Sequence, residues 1–263
     1  MYRKTISMLL IVLFAGCVGA FSQNPTPNTS PTTTPTPGQA TGQPPARRDL
    51  TPPTPAAVAA VKEKAMAGEM AAQAKLAQMY ALGQGVPRNL DEAAKWFRKA
   101  AEQGDAPSQL KLGVMYLGGF GVAPNLQEAL AWYKKAAAQG NVDAMLQLGN
   151  LYENGMQVTK NGREALGWYR MAAEKGSSEG ALKVGYFYLQ GLDNVQRDYE
   201  QALKWFRKAA QQGNGEAGFN LGRMYQEGLG VAASVDEAAA WYTKAIQDGY
   251  PAATVALRNL KRK

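Results

Sequence analysis

Two apolar patterns of helical period alternate along this chain and return every 36 or 37 residues. The first is anchored on Tyr80, Tyr116, Tyr152, Tyr188 and Tyr225. Four positions earlier stand Leu76, Leu112, Leu148, Val184 and Leu221, and three earlier Ala77, Gly113, Gly149, Gly185 and Gly222. Leu and Tyr at i and i+4 share one helical face, and the small residue beside them lets a second helix approach, so this segment predicts a packing helix, helix A. The second pattern reads Trp-aromatic-x-x-Ala, with a base in the third place of four copies, and predicts helix B. Its tryptophans, Trp96, Trp132, Trp168, Trp205 and Trp241, fall 36, 36, 37 and 36 residues apart. A fixed period of this size marks a solenoid of helical pairs, and regular indoles at a helical core position are expected to be buried between the stacked hairpins.

The punctuation agrees with the pattern. Three residues after each tyrosine come Gly83, Gly119, Gly155, Gly191 and Gly228, where glycine takes the positive φ that ends a helix. After a loop carrying a valine stand Asn89, Asn125, Asn161, Asp198 and Ser234, with Glu92, Glu128, Glu164, Gln201 and Glu237 three positions on. That spacing predicts a capping box at the start of every helix B. Helix B stops at Gly104, Gly140, Gly176, Gly213 and Gly249, and the extra residue of the fourth unit falls in the loop between Tyr188 and Asp198.

These residues resemble the Sel1-like repeat family, relatives of the tetratricopeptide repeat, whose pattern is an A-x-x-x-L-G-x-x-Y helix, a G-x-G-V loop and a W-Y-x-K-A-A-x-x-G helix. Ala77 departs from the helix-A glycine, and Gln157 and Asp193 from the second loop glycine. The resemblance implies an all-α, right-handed α-solenoid of five helix-turn-helix units, residues 69–104, 105–140, 141–176, 177–213 and 214–249. Residues 56–68 precede them in a helix-B slot and 250–263 follow as one more helix, and both read as caps.

The first quarter of the chain is of another kind. Arg3 and Lys4 precede a short apolar run, Met8 to Phe14, followed by small residues, the layout of an export signal over residues 1–22. Phe14-Ala15-Gly16-Cys17 resembles a bacterial lipoprotein box, with Phe14 where leucine is usual, which implies lipidation of Cys17 and a membrane anchor. Ordinary signal peptidase cleavage near Ala20 is the other route. Residues 23–55 hold 10 of the 14 prolines, many threonines and no aromatic residue. Such a composition predicts a disordered stalk that would reach on the order of 100 Å when extended. The expected location is therefore the cell envelope, as a periplasmic protein or an outer-membrane lipoprotein.

Chemistry-bearing residues are sparse. The chain has no histidine, and its one cysteine lies in the targeting segment, so Cys/His catalysis, the usual zinc ligand sets and intramolecular disulfides are excluded. Ser108 and Lys111 fit an S-x-x-K pattern without its partner motifs, and Ser108 occupies a small-residue column. No enzyme and no cofactor is expected. The net charge of +8 is carried by Lys and Arg interleaved with acids, a solvated helix face rather than a nucleic-acid surface, and a monomer is expected.

Candidate binding residues come from helix-A columns that share no size or polarity, five and two positions before each tyrosine: Lys75 and Gln78, Lys111 and Val114, Gln147 and Asn150, Lys183 and Tyr186, Asn220 and Arg223. In proteins similar to this one helix A lines the concave surface where partners bind. The expected function is a non-catalytic adaptor that holds another protein or an extended peptide; the alternative is a protein that binds or hydrolyses peptidoglycan.

Overall fold

The computed structural model describes residues 53–260; Cys17, the signal segment, the proline-rich stretch through residue 52 and Lys261 to Lys263 lie outside the described residues. Twelve helices and no strands occur among the described residues. Five hairpins are formed by α2 (Met70–Leu82) and α3 (Leu90–Glu102), α4 (Ala106–Gly118) and α5 (Leu126–Ala138), α6 (Val142–Asn154) and α7 (Gly162–Glu174), α8 (Ser178–Gln190) and α9 (Tyr199–Gln211), and α10 (Gly215–Glu227) and α11 (Val235–Gln247). They are flanked by α1 (Pro55–Met66) and α12 (Ala253–Leu260). Each helix packs chiefly against the one before it and the one after it, the nearest-neighbour order of an α-solenoid.

The hairpin is held by a glycine facing a ring. A Cβ added at Gly113, Gly149, Gly185 or Gly222 would lie within 2.7 Å of the ring of Tyr133, Tyr169, Phe206 or Tyr242. These rings, with Phe97, are no more than 1% exposed, and the leucine column, Leu76 to Leu221, is equally buried. Burying one such side chain contributes about 1.5–3 kcal/mol, and five repetitions make a core without any disulfide.

Here the structure corrects the expectation for tryptophan. The deepest aromatic of helix B is the one after the indole; only Trp132 is buried, at 7%, while Trp96, Trp168, Trp205 and Trp241 are half-buried at the margin of the core. Adjacent positions on a helix point about 100° apart, so only one can face the glycine of helix A. The ring that does so is Phe97, Tyr133, Tyr169, Phe206 or Tyr242.

The caps are half of what the spacing predicts. Each of Asn89, Asn125, Asn161, Asp198 and Ser234 accepts the N–H three residues on, at 2.9–3.2 Å. The return bond is not made: the N–H of each cap goes to the carbonyl of Tyr80, Tyr116, Tyr152, Tyr188 or Tyr225, at 2.8–2.9 Å, and thereby closes the loop. That frees the acids, so Glu128 accepts from the Trp132 indole at 2.9 Å and Glu92 pairs with Lys95 at 2.7 Å. Asp105, Asn141, Ser177 and Asn214 also cap helices A, a signal that the sequence carries and the reading above passes over.

The second loop glycine serves the joint between repeats. Gly121 (φ 67°) sits on the backbone at Leu90 and Gly230 (φ 68°) on Tyr199, the first residues of the preceding helix B. Where Asp193 replaces that glycine, at φ 48°, the residue it covers is Gly162. The bulk has moved from one side of the joint to the other.

Candidate interaction face

The helix-A columns are less open than their variability suggests. Lys75 and Arg223 are exposed; Gln78, Lys111, Gln147, Asn150, Lys183 and Tyr186 are half-buried; Val114 and Asn220 are buried, at 7% and 3%. Val114 and Asn220 therefore do not stand in solvent. For Lys183, Tyr186 and Asn220 the cause is contact between helices A of adjacent repeats.

Two polar clusters make that contact. Glu153 on α6 accepts from Lys183 Nζ on α8 at 2.9 Å and from the Tyr169 hydroxyl at 2.6 Å, and Asn150 Oδ1 lies 2.7 Å from the same hydroxyl. Burial first, and then the Glu153 carboxylate, hold the Tyr169 phenol well above its ordinary value. One repeat on, the Tyr186 hydroxyl donates to Glu216 at 2.7 Å and accepts from Asn220 Nδ2 at 2.9 Å. Burial, with the bond to Glu216 next, pushes the Tyr186 phenol up to about 12. Lys111 is pushed below the usual lysine value by burial, with Asp143 opposing. Arg223 lies 3.4 Å from Glu227 with about half of its side chain exposed. It rims a cleft of about 240 Å³ between α8 and α10, lined also by Leu189, Tyr199, Met224 and Leu229.

A glutamine pair missed by the sequence reading joins the first repeats. Gln103 donates to Gln73 Oε1 at 2.7 Å, and Gln139 to Gln109 Oε1 at 2.8 Å. Gln73 and Gln109 in turn donate to the carbonyls of Ala65 and Ala101, the last buried alanines of the preceding helices. The recurrence of glutamine 30 residues after glutamine was the available signal. On the helix-B face, Lys99 and Lys135 lie 4.1 and 4.0 Å above the rings of Trp96 and Trp132, so part of the basic charge is held on indoles.

Ser108 is 1% exposed, sealed in the small-residue column. Among the described residues no group of three or more His, Cys, Asp and Glu side chains gathers to hold a metal ion.

The Sel1 repeat model matches five consecutive segments, 71–105, 106–141, 142–177, 178–214 and 215–250. Among solved structures, the chain is similar to c5321, a protective antigen present in uropathogenic Escherichia coli strains and displaying an SLR fold, at 38% identity and a TM-score of 0.74, over 79% of this chain and 44% of that one. It thus spans less than half the length of that relative. A Sel1 repeat protein from Oxalobacter formigenes is similar at 36% identity and a TM-score of 0.68, over 74% of this chain and 79% of that one. Comparison with curated proteins gives no match. Sel1 repeat proteins generally mediate protein–protein interaction, and their scaffolds are typically non-catalytic. With five matched units, a glycine-to-ring lock in four of the five hairpins and nearest-neighbour stacking throughout, this chain belongs to the Sel1 repeat family.

Proposed function

We propose that the chain is a non-catalytic scaffold of the bacterial cell envelope that binds another protein, or an extended segment of one, along the concave face lined by helices A. The observation that carries this reading is the division of labour on helix A. One face is spent on the glycine-to-ring lock, while the columns of Lys75 to Arg223 vary freely, with Lys183 tied to Glu153 and Tyr186 to Glu216 and Asn220 across repeat boundaries. Those ties order the middle of the face before a partner arrives, which lowers the entropy cost of binding there. Lys75 and Arg223 are the contacts that a partner reaches most directly, and Arg223, on the rim of a cleft of mixed polarity that includes Gln190 and Asn220, suits an acidic residue. The export layout, Cys17 and the proline-rich composition before residue 53 support tethering at the envelope.

Affinity purification from envelope membranes tests this. The full chain carrying Lys75→Glu and Arg223→Glu is expected to lose a partner that the unaltered chain retains, while circular dichroism stays helical. A partner set unchanged by both substitutions counts against the face, and release of muropeptides from purified peptidoglycan counts against a non-catalytic role. The mass of the mature N-terminus decides between acylated Cys17 and cleavage by ordinary signal peptidase.

A further inference from the structure

We propose that Lys64 and Arg258 keep two copies of this chain from joining end to end, because the ends they occupy are the two halves of one repeat. Helix α12 fills a helix-A slot. Its entry bond, Tyr250 N–H to the Ala245 carbonyl at 2.9 Å, repeats that of Asn214 to Ala209 at 3.1 Å, and Ala253 and Leu260 are buried where Ala217 and Met224 are. In this register Leu257 stands in the column of Leu221, Arg258 in the column of Gly222 and Thr254 in that of Gly218. Helix α1 fills a helix-B slot. It runs into Gly68 at φ 95° as α3 runs into Gly104 at φ 100°, and Val58 and Ala65 are buried in the columns of Ala94 and Ala101.

The faces left over are complementary in kind. On α1, the columns of Ala93, Phe97 and Ala100, which inside a repeat are 0%, 1% and 0% exposed, are held by Ala57, Val61 and Lys64. Among the described residues Ala57 and Lys64 are exposed, and Val61 is half-buried, one side of it packed on Met79 and Leu76 of α2. On α12 the matching inner face offers Thr254, Leu257 and Arg258, with Val255 59% exposed beside it. An intact repeat says which positions would meet. A Cβ at Gly222 falls 2.5 Å from the Tyr242 ring, and one at Gly218 falls 3.3 Å from Ala245. Carried over to α12 of one copy and α1 of another, Arg258 would lie on Val61 and Thr254 on Lys64.

Without those two cations the seam would be small and apolar, Ala57, Val61, Val255 and Leu257, and would complete a sixth repeat. With them, two positive charges enter adjacent columns that a repeat seals from water. Burying like charges without a partner opposes association. The cations stand in columns that are otherwise alanine or glycine, a place where neither packing nor solvation of a repeat calls for charge.

Sedimentation velocity of the full chain over a range of concentrations tests the inference. The unaltered chain is expected to sediment as one copy, and Lys64→Ala with Arg258→Ala as a series of multiples that grows with concentration. Adding Val61→Asp to that pair should return it to one copy. Arg258→Glu with Lys64 kept should create a pair across copies, so that association appears at low salt and disappears at high salt. A double variant that stays single with unchanged helical circular dichroism overturns the proposal. So does association that Val61→Asp leaves intact, and so does an Arg258→Glu chain that stays single at low salt.

Discussion

Glycine to alanine inside a helix ordinarily stabilises by about 1 kcal/mol, through lower entropy of the unfolded chain and better helix propensity. At Gly149 of α6 the opposite is expected. The added methyl would sit 2.5 Å from one ring carbon of Tyr169 and 2.7 and 2.9 Å from two others, and that ring is 0% exposed. The ring cannot easily withdraw, because its hydroxyl is bound to Glu153 at 2.6 Å and lies 2.7 Å from Asn150. Overpacking of this kind costs roughly 1–3 kcal/mol, which exceeds the propensity gain and leaves a net loss on the order of 1 kcal/mol. The control is Gly167 of α7, which is exposed and has nothing within 4 Å of an added Cβ; there alanine should stabilise by about 1 kcal/mol. Gly185→Ala should cost less than Gly149→Ala, since its partner Phe206 has no hydroxyl to anchor it, and Ala77 facing the first repeat's Phe97 is a natural instance of that arrangement. Urea unfolding followed by circular dichroism reads all three. If Gly149→Ala and Gly167→Ala move stability in the same direction, the glycine-to-ring lock is not what holds the hairpins.

Two further outcomes are expected. The exchange of bulk at the third joint predicts strong coupling: Gly162→Leu alone should destabilise by roughly 1–3 kcal/mol through its clash with Asp193, and Asp193→Gly in the same chain should recover most of that loss, so a double-mutant cycle that comes out additive would remove the compensation. The phenols of Tyr133, Tyr169, Tyr186 and Tyr242 are all raised above 10.0, burial being the first cause in each. A raised folded value favours the neutral form in the native state, so this stabilisation is complete below pH 10 and is lost as pH rises, for Tyr186 between 10.0 and about 12. In an alkaline titration, tyrosinate absorbance from these rings should rise together with loss of helical signal; their ionisation while the helices persist would contradict the burial argument.

On the candidate face the sequence places the columns on helix A, but their variability overstates how open they are. Lys183 and Glu153 are 30 residues apart, and so are Tyr186 and Glu216; neither pairing follows from any spacing within one helix. Asn220 looks like a free amide in the sequence and is buried because the hydroxyl of Tyr186 reaches it from the preceding repeat.

By itself the sequence determined the helices, their order and their register, because the signals that set them are local: a side-chain oxygen three residues before an amide, a glycine where φ turns positive, an apolar stripe of helical period. Only the tertiary structure decided what the two helices of a hairpin do to each other. Whether Trp168 or Tyr169 enters the core depends on how α7 is rotated against Gly149, and whether Asn161 closes a capping box depends on the loop that brings its N–H to Tyr152. These outcomes are set by the approach of surfaces that are distant in sequence, and adjacent residues of similar chemistry compete for each of them on nearly equal local terms.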